Sequence, residues 1–596
     1  MRLVFDIETD DLDATKIWCI VAKDIDSDQV YTYGPSQIDE GCELLSDADE
    51  LIGHNIIGFD IPVLKDLTRF KTLGEGQKIV DTLVLSRLFD PVREAGHGLK
   101  SWGYKLSSNK IEFKDFTGGF SPEMLDYCIQ DVELNLKVYH ALREESRGFS
   151  KESLEIEHAV ALILKEQEKH GFLYDAMEAD LLLADLRSVV AKTEAKVKHV
   201  FKPKVTKIKL YPRHTATGKL SKMADSCALA SGTGVRMTKP EYDLMTIKID
   251  KAEGELHKCD PVIRSRSKDF NLASRQQVGE YLQDFGWKPT EFTVHGRPIV
   301  NEKTLAEVQG IPEADLINSY LMYQKRVSQI TSWGEAVEED GRVHGFVIPN
   351  GAITGRMTHR QPNMAQVPSS NSPFGSNCRA LWTVPKGKKL VGIDASGLEL
   401  RMLAHYMDDE DYTNEIINGD IHTANQKLAG LESRNQAKTF IYALLYGAGD
   451  EKLGSVAGGG RSVGSRLRQS FFDNLPAFAA LKNRVARASE EGYIKGLDGR
   501  KLTVRSQHAA LNTLLQSAGA IVMKKALVIL NEKIKKLDAN FVANVHDEWQ
   551  IEADESVADE VGRLGVEAII EAGLHFDLKC PLDGEYNVGR NWSETH

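Results

Sequence analysis

Apolar residues bunch into two short runs late in the chain, Lys389-Leu-Val-Gly-Ile-Asp394 and Phe541-Val-Ala-Asn-Val-His-Asp-Glu-Trp-Gln550, and each delivers a carboxylate at its end. Short apolar runs of this kind predict buried strands. Between them, Arg434, Lys438, Tyr442 and Tyr446 recur every four residues, which predicts a helix. Each such step drifts by about 40°, so the four side chains cover about 120° of one helical face. Residues 1–148 alternate strand-like runs, such as Leu3-Val-Phe and Ile17-Trp-Cys-Ile-Val-Ala, with helical patterns such as residues 122–142. Residues 151 to about 201 predict one long amphipathic helix, with Leu162, Leu164, Leu181, Leu182, Leu183 and Leu186 set among charges. Helical periodicity then lapses until about Ser274. Residues 343–382 are loop-rich, mostly helices run from Asp394 to about Leu537, and a hairpin at Asp547 precedes a last α/β stretch. There is no internal repeat and no low-complexity tract. The run Gly458-Gly459-Gly460 matches no phosphate-loop pattern and predicts a flexible turn.

The chemistry follows from where the carboxylates fall. Two packed strands that each present one Asp, here Asp394 and Asp547, can hold two divalent cations that clamp the attacking and leaving oxygens of a phosphoryl transfer. Ala395 can add its backbone carbonyl as a further hard oxygen donor. Arg434 and Lys438 can neutralise a triphosphate, and the tyrosines can stack on a base. Glu399, about one helical turn beyond Asp394, could wall off a sugar 2′ position, the group that separates RNA from DNA. The plainer alternatives are an exposed helix acid at Glu399 and a core helix with two snorkelling cations.

A second group of acids lies near the N-terminus. Asp6 and Glu8 share one face of a strand by the two-residue period. Asp60 follows in Asn55-Ile-Ile-Gly-Phe59-Asp60, and Tyr127 and Asp131 share a helical face by their i, i+4 spacing. Four carboxylates converging on one point repel unless cations sit among them. A Tyr beside them can orient a water for attack on phosphorus. Phe59 either packs as core or wedges a terminal base.

Composition narrows the class. A chain of 596 residues is too long for one hydrophobic core. Its seven cysteines are scattered without CxxC spacing, which fits a reducing compartment. The early acids of Met1-Arg-Leu-Val-Phe-Asp-Ile-Glu do not suit a signal peptide, and no 18-residue apolar run predicts a membrane span. The net charge of −13 reads first as a solvated surface, since steering depends on the local field of a cleft. Residues 201–270 differ, with 15 Lys/Arg against 8 Asp/Glu.

The N-terminal set resembles the proofreading 3′–5′ exonucleases with four acidic ligands and a Tyr. Asp394 with Ser396-Gly-Leu-Glu399, Arg434-xxx-Lys438-xxx-Tyr442-xxx-Tyr446-Gly, and Val545-His546-Asp547-Glu548 resemble motifs A, B and C of family A DNA polymerases. Longer strings are similar to the replicative polymerases of T-odd short-tailed phages: Asn350-Gly-Ala-Ile-Thr-Gly-Arg356, Gly419-Asp-Ile-His422-Thr, Gly496-Leu-Asp-Gly-Arg500 and His508-Ala-Ala-Leu-Asn512-Thr-Leu-Leu-Gln516. The resemblance implies an α/β multidomain chain, an RNase H-like 3′–5′ exonuclease domain followed by a right-hand polymerase. Its domains would be the exonuclease (1–148), a thumb (149–340) with a basic insertion at about 201–270, palm (341–406), fingers (407–511) and palm again (512–596). It also implies roles. Asp394 and Asp547 hold two Mg²⁺ ions, for which Mn²⁺ can substitute, and Glu548 supports them or the primer end. Arg434, Lys438 and His422 bind the triphosphate, and Lys438 protonates the leaving pyrophosphate. Tyr442 lies near the incoming sugar and implies ready use of dideoxynucleotides. Tyr446 stacks near the templating base. Arg356, Asn512, Gln516 and His546 read minor-groove acceptors, which all correct pairs share. Asp6, Glu8, Asp60 and Asp131 become metal ligands, and Tyr127 positions the nucleophilic water.

The thumb pattern begins at Ile156-Glu-His158 and resumes at Asn271-Leu-Ala-Ser274, which places residues 201–270 inside it. Related phage enzymes dock host thioredoxin on such an insertion. Here only fragments such as Tyr211-Pro-Arg213 and Thr217-Gly-Lys219 align, so thioredoxin, another partner and direct DNA contact all stay open. A zinc site from His214, Cys227, His257 and Cys259 has poor spacing. The resemblance further implies primer–template DNA, deoxynucleoside triphosphates and a replicative helicase–primase as partners, no membrane, and the cytoplasm of a bacterial host. Rival readings are a nuclease with a degenerate polymerase domain, an RNA polymerase or reverse transcriptase, and a non-enzymatic DNA clamp. Intact motifs, Glu399 and the N-terminal acids speak against them. The tail Asn591-Trp592-Ser-Glu-Thr-His596 also resembles the phage branch, without an assigned contact.

Overall fold

The computed structural model describes residues 1–71, 76–108, 113, 115–210, 248–250, 255–257 and 262–596. The Tyr211 and Thr217 strings and the zinc candidates His214, Cys227 and Cys259 lie outside them. The chain forms two compact units, Met1–Ala179 with Ser332–His596, and Asp180–Thr331.

Five N-terminal strands, β1 (Arg2–Thr9), β2 (Ile17–Asp24), β3 (Val30–Tyr33), β4 (Glu50–Gly53) and β5 (Lys78–Asp81), make one mixed sheet in the order β3-β2-β1-β4-β5. β1 runs antiparallel to β2 and parallel to β4. Alternation along β1 sends Leu3, Phe5 and Ile7 to one core, while Val4 joins Cys19, Val21 and Ile52 in another. By that period Asp6 and Glu8 share the face of Val4. Helix α1 (Thr82–Phe89) follows β5, with Asp81 as its N-cap. Helix α2 (Pro122–Glu145) covers the Val4 face through Cys128, Val132 and Tyr139. Ser121 caps it and Pro122 occupies its first turn, the pairing that starts helices most readily.

The single long helix expected from residue 151 to about 201 is two helices. α3 (Lys151–His170) ends at Gly171, whose φ of +69° suits glycine. A three-residue strand, Phe172–Tyr174, then pairs with Arg342–Val343 and Trp382–Thr383 before helix Ala176–Val200 begins. Partners some 170 and 210 residues away made that strand, and local periodicity carries no trace of them.

A second sheet holds the later apolar runs. Its strands are β6 (Lys388–Ala395), β7 (Ala539–Val545), β8 (Glu548–Asp554) and β9 (Gly584–Gly589), in the all-antiparallel order β7-β8-β6-β9. Helix α4 (Leu398–Met407) follows β6, α5 (Arg434–Leu445) lies farther on, and α6 (Gln507–Ile534) and α7 (Ala558–His575) pack together beside the sheet. These elements share one core that includes Ile393, Leu403, Phe440, Leu527, Ile551 and Ile569. Contrary to the sequence reading, α6 is long and apolar enough to cross a membrane by length and composition. Yet 72% of its most apolar window is buried inside the protein, which makes it a core helix.

The Asp180–Thr331 unit has its own core, in which Phe201 and Phe270 stack at 4.9 Å and Val278, Leu282 and Ile317 are buried. Strands Lys204–Leu210 and Val262–Lys268 pair antiparallel at the ends of the basic segment.

Candidate active site

Strand register builds the first site. Asp394 lies opposite Glu548 on β8 and opposite Glu585 on β9. The β7–β8 turn carries His546 in the left-handed region, φ +58°, uncommon for a residue with a Cβ. That turn brings Asp547 back over β6, where the Ala395 N–H donates to its carbonyl at 3.1 Å. Burial, together with the charges of Asp547 and Glu548, pushes Asp394 up to about 7. Burial also raises Asp547. Two desolvated carboxylates that hinder each other's ionisation are a donor set for cations, and their oxygens suit Mg²⁺ or Mn²⁺.

Glu548 is handled differently. Burial pushes its carboxyl up, but His596, Arg379 and Trp592 outweigh that and hold it below its usual range. Its Oε1 accepts from Trp592 Nε1 and from Gln550 Nε2 (2.6 Å), and its Oε2 lies 3.1 Å from His596 Nδ1. Thr595 Oγ1 donates to Gln550 Oε1 at 2.8 Å. Gly392 makes room for this tail, because a Cβ there would lie 2.4 Å from the Thr595 carbonyl. Resemblance to the phage branch assigns the tail no such contact. A large aromatic and a His among polar residues were the one hint.

The clasp has a pH window. His596 is raised by its bond to Glu548, so its contribution to stability is full below its ordinary 6.5 and is lost as pH rises through the folded value. Glu548 is depressed, so its contribution is present above its ordinary 4.5 and is lost as pH falls through the folded value. Amide exchange at residues 593–595, corrected for intrinsic rates, should therefore be slowest between those limits. In His596→Ala the high-pH limb should vanish. Protection that ignores pH in the parent chain would contradict the pairing.

The side chains facing these carboxylates form one polar wall. Glu399 accepts from Arg356 Nη2 (3.1 Å) and from the Tyr446 hydroxyl (2.8 Å to Oε1). Burial and then Glu399 push the Tyr446 phenol up to about 12. Arg356, Glu399 and Tyr446, to which the family resemblance assigns separate tasks, are bonded to one another. Arg356, Glu399, His546 and Asp547 line one cleft whose floor includes Met523 and Lys524. Asn512 and Gln516 are half-buried on α6. On α5, a capping box at Ser433 fixes the first turn. Arg434 and Lys438 are exposed, Arg434 Nε donating to Asp420 Oδ2 at 2.7 Å. Asp420 also caps the helix that carries His422. The His422 ring lies 6.3 Å from that of Tyr442, and burial, then Arg434 and Lys438, lower its pKa.

The N-terminal acids are placed by β1, α2 and the segment after β4. Carboxylate oxygens of Asp6 and Glu8 lie within 4.8 Å of each other and of Cys128 Sγ. Cys128, which the sequence reading passed over, sits 3.9 Å from Asp6 Oδ2. Its i−3 spacing from Asp131 was the available signal. Asp60 and Asp131 are both buried. Asp60 Oδ1 accepts the Ile7 N–H at 3.2 Å, and burial pushes this carboxyl up to about 7. Tyr127 packs against Phe113 and Phe116 at 5.8 and 6.0 Å. Phe59 packs on the N-terminal core.

Known proteins match this chain, some over its whole length and some over part of it. Residues 243–594 match the model of DNA polymerase family A. The DNA-directed DNA polymerases of Enterobacteria phage T3 and Escherichia phage T7 are each 34% identical over 707 aligned positions, which cover 100% of both chains. The thermostable DNA polymerase I of Thermus aquaticus is 26% identical over 60% of this chain and 46% of its own. Among solved structures, the POL domain of Pol1 from M. smegmatis, in complex with DNA primer-template and dNTP, has the same fold, with a TM-score of 0.75 over 100% of this chain and 95% of that one at 18% identity.

Proposed function

The chain belongs to DNA polymerase family A and is a DNA-directed DNA polymerase of the phage T7 kind, and from that premise we propose that it copies primed DNA templates at Asp394 and Asp547 and proofreads at Asp6, Glu8, Asp60 and Asp131. The observation that carries the first half is the pair of half-buried carboxylates at the ends of adjacent strands, one of them pushed up to about 7. On this reading the exonuclease spans 1–148, the thumb 149–340, the palm 341–406 and 512–596, and the fingers 407–511.

Membership of the family implies divalent metal. Asp394, Asp547 and the Ala395 carbonyl would hold it, and Mg²⁺ there supplies Lewis-acid charge to the oxygens of the reacting phosphate. The protein's own groups do the rest. Arg434 exchanges Asp420 for the triphosphate, with Lys438 and His422 beside it. The primer 3′-hydroxyl attacks the α-phosphate in line, and Lys438 gives a proton to the departing pyrophosphate. Tyr442 and Glu399 bound the sugar, and Tyr446, held by Glu399, faces the templating base. Arg356, Asn512, Gln516 and His546 read the minor groove of the new pair. Glu548, clasped by the tail, braces the β7–β8 turn. At the N-terminal site, Tyr127 orients the water that attacks a frayed 3′ end. Primer–template and deoxynucleoside triphosphates are the ligands, and a phage enzyme of this kind works inside its bacterial host beside a helicase–primase.

Replacing Glu399 by Ala should cut discrimination against ribonucleotides by roughly 10²-fold, the scale on which a pocket senses one hydroxyl. Single-nucleotide insertion of paired ribo- and deoxynucleotides measures it. Unchanged discrimination would remove Glu399 from the sugar wall. For residues 201–270, extension under a heparin trap with and without thioredoxin separates a docked clamp from direct DNA contact. Longer products only with thioredoxin favour the clamp, and equal lengths reject it.

The experiment for the whole reading is extension of a primer with a mismatched 3′ end. Excision followed by extension supports both sites. Extension without excision leaves the polymerase and removes the nuclease.

A further inference from the structure

The segment that delivers Asp60 has no regular structure of its own. It leaves β4 at Gly53, passes Asn55 with φ +66°, and ends where helix Asp60–Leu67 begins. Its shape is set by Asp81, a carboxylate 1% exposed at the end of β5. Asp81 accepts the N–H groups of Asn55 (2.9 Å) and Ile57 (3.0 Å). The same carboxylate caps α1 through Leu83 and Val84. Next in the chain, the buried Thr82 hydroxyl lies 3.2 Å from the Gly53 carbonyl and 2.8 Å from Asn135 Oδ1. Asn135 stands one helical turn beyond Asp131 on α2. Asp81 and Thr82 therefore tie together the two elements that carry Asp60 and Asp131.

This hub sits on β5, an edge strand. An edge strand leaves backbone N–H groups without a ladder partner, and a buried one must be satisfied elsewhere. The Asp81 N–H donates to His158 Nε2 at 2.9 Å. His158 belongs to α3, beyond the N-terminal module. An amide N–H can only donate, so Nε2 accepts, and the ring proton sits on Nδ1, 2.7 Å from the Leu154 carbonyl. That second bond fixes the plane of the ring. The neighbouring residue, Glu157, points to a different place, a buried ion cluster with Arg500 and Lys524. Adjacent residues of one helix face different directions.

We propose that His158 is a positioning residue for 3′-end hydrolysis: it holds Asp81, and through Asp81 and Thr82 it sets the placement of Asp60 and Asp131. The inference rests on the nuclease reading of the N-terminal acids. His158 touches neither substrate nor reacting atoms. Its effect is on the geometry of the acids and so on turnover, not on DNA binding.

The test compares the parent chain with His158→Ala and His158→Gln, full length and with Mg²⁺. Three quantities are read: kcat and KM for digestion of a 3′-mismatched primer, turnover in matched primer extension, and amide exchange at Asn55, Ile57 and Asp81. Loss of a group that orients metal ligands typically costs about 10–100-fold. In His158→Ala, digestion kcat should fall by that factor with KM unchanged. Extension should stay within about twofold, and the three amides should exchange faster. His158→Gln, whose amide oxygen can accept the Asp81 N–H, should recover most of the loss. Parent-like digestion by His158→Ala would overturn the proposal, as would a parallel fall in extension and digestion or unchanged exchange at the three amides. A parent chain that does not digest the mismatch would overturn the nuclease reading itself and this inference with it.

Discussion

Exchanging Asp394 for Asn is expected to lower correct-nucleotide insertion by about 10³-fold or more, and Asp547→Asn should do the same. The Lewis-acid charge these residues hold is worth several kcal/mol at the transition state, and each 1.36 kcal/mol is a factor of about ten. The loss should appear in turnover, with DNA affinity kept, because Arg356, Asn512 and Gln516 are untouched. The isosteric amide removes charge without opening a cavity. It should even relieve the folded chain, because the burial and neighbouring charge that raise Asp394 to about 7 make its ionisation a cost. That cost grows as pH rises from the ordinary carboxylate range to about 7, so in metal-free buffer the parent chain loses more stability over that interval than Asp394→Asn, which keeps only the loss from other raised carboxyls such as Asp60 and Asp547. Single-turnover insertion and thermal unfolding against pH measure the two parts. An Asn variant that inserts nucleotides at the parent rate would remove Asp394 from the reaction.

The second large effect concerns the other end of the chain. Asp6→Ala combined with Glu8→Ala should abolish digestion of a mismatched primer, again by about 10³-fold or more, while matched extension continues at the parent rate. The two residues project from one face of β1, and their oxygens lie within 4.8 Å of each other, so removing both deletes one side of any metal site there. The variant should also accumulate errors that the parent chain removes. Digestion that persists in the double variant would place the nuclease elsewhere or assign it to a contaminant.

Much of this was legible in the sequence because the decisive signals are local. An apolar run that ends in Asp is a strand that delivers a carboxylate, and β6 and the β7–β8 turn do so at Asp394 and Asp547. The four-residue steps of Arg434, Lys438 and Tyr442 fall on α5, and Tyr446 caps it. The helical pattern over residues 122–142 falls on α2. What escaped was made by distant partners. Gly171 and the strand Phe172–Tyr174 interrupt a pattern that reads as continuous helix, because pairing with Arg342–Val343 and Trp382–Thr383 outweighs local propensity. The clasp of Glu548 by Trp592 and His596 joins residues more than 40 positions apart. Cys128, one of seven scattered cysteines, stands against Asp6 across 122 positions of sequence. Arg356, Glu399 and Tyr446 each carried a signal, but not the signal that they bond to one another.

Template-directed synthesis takes place at the Asp394–Asp547 pair. The decisive experiment offers a recessed primer and all four deoxynucleotides one at a time, with four templates that differ only at the first unpaired base. The parent chain and Asp394→Asn are run side by side with Mg²⁺. The parent chain should add the complementary nucleotide on each template, and Asp394→Asn should add none on the same timescale. Addition that ignores the template base, or equal addition by Asp394→Asn, would contradict it.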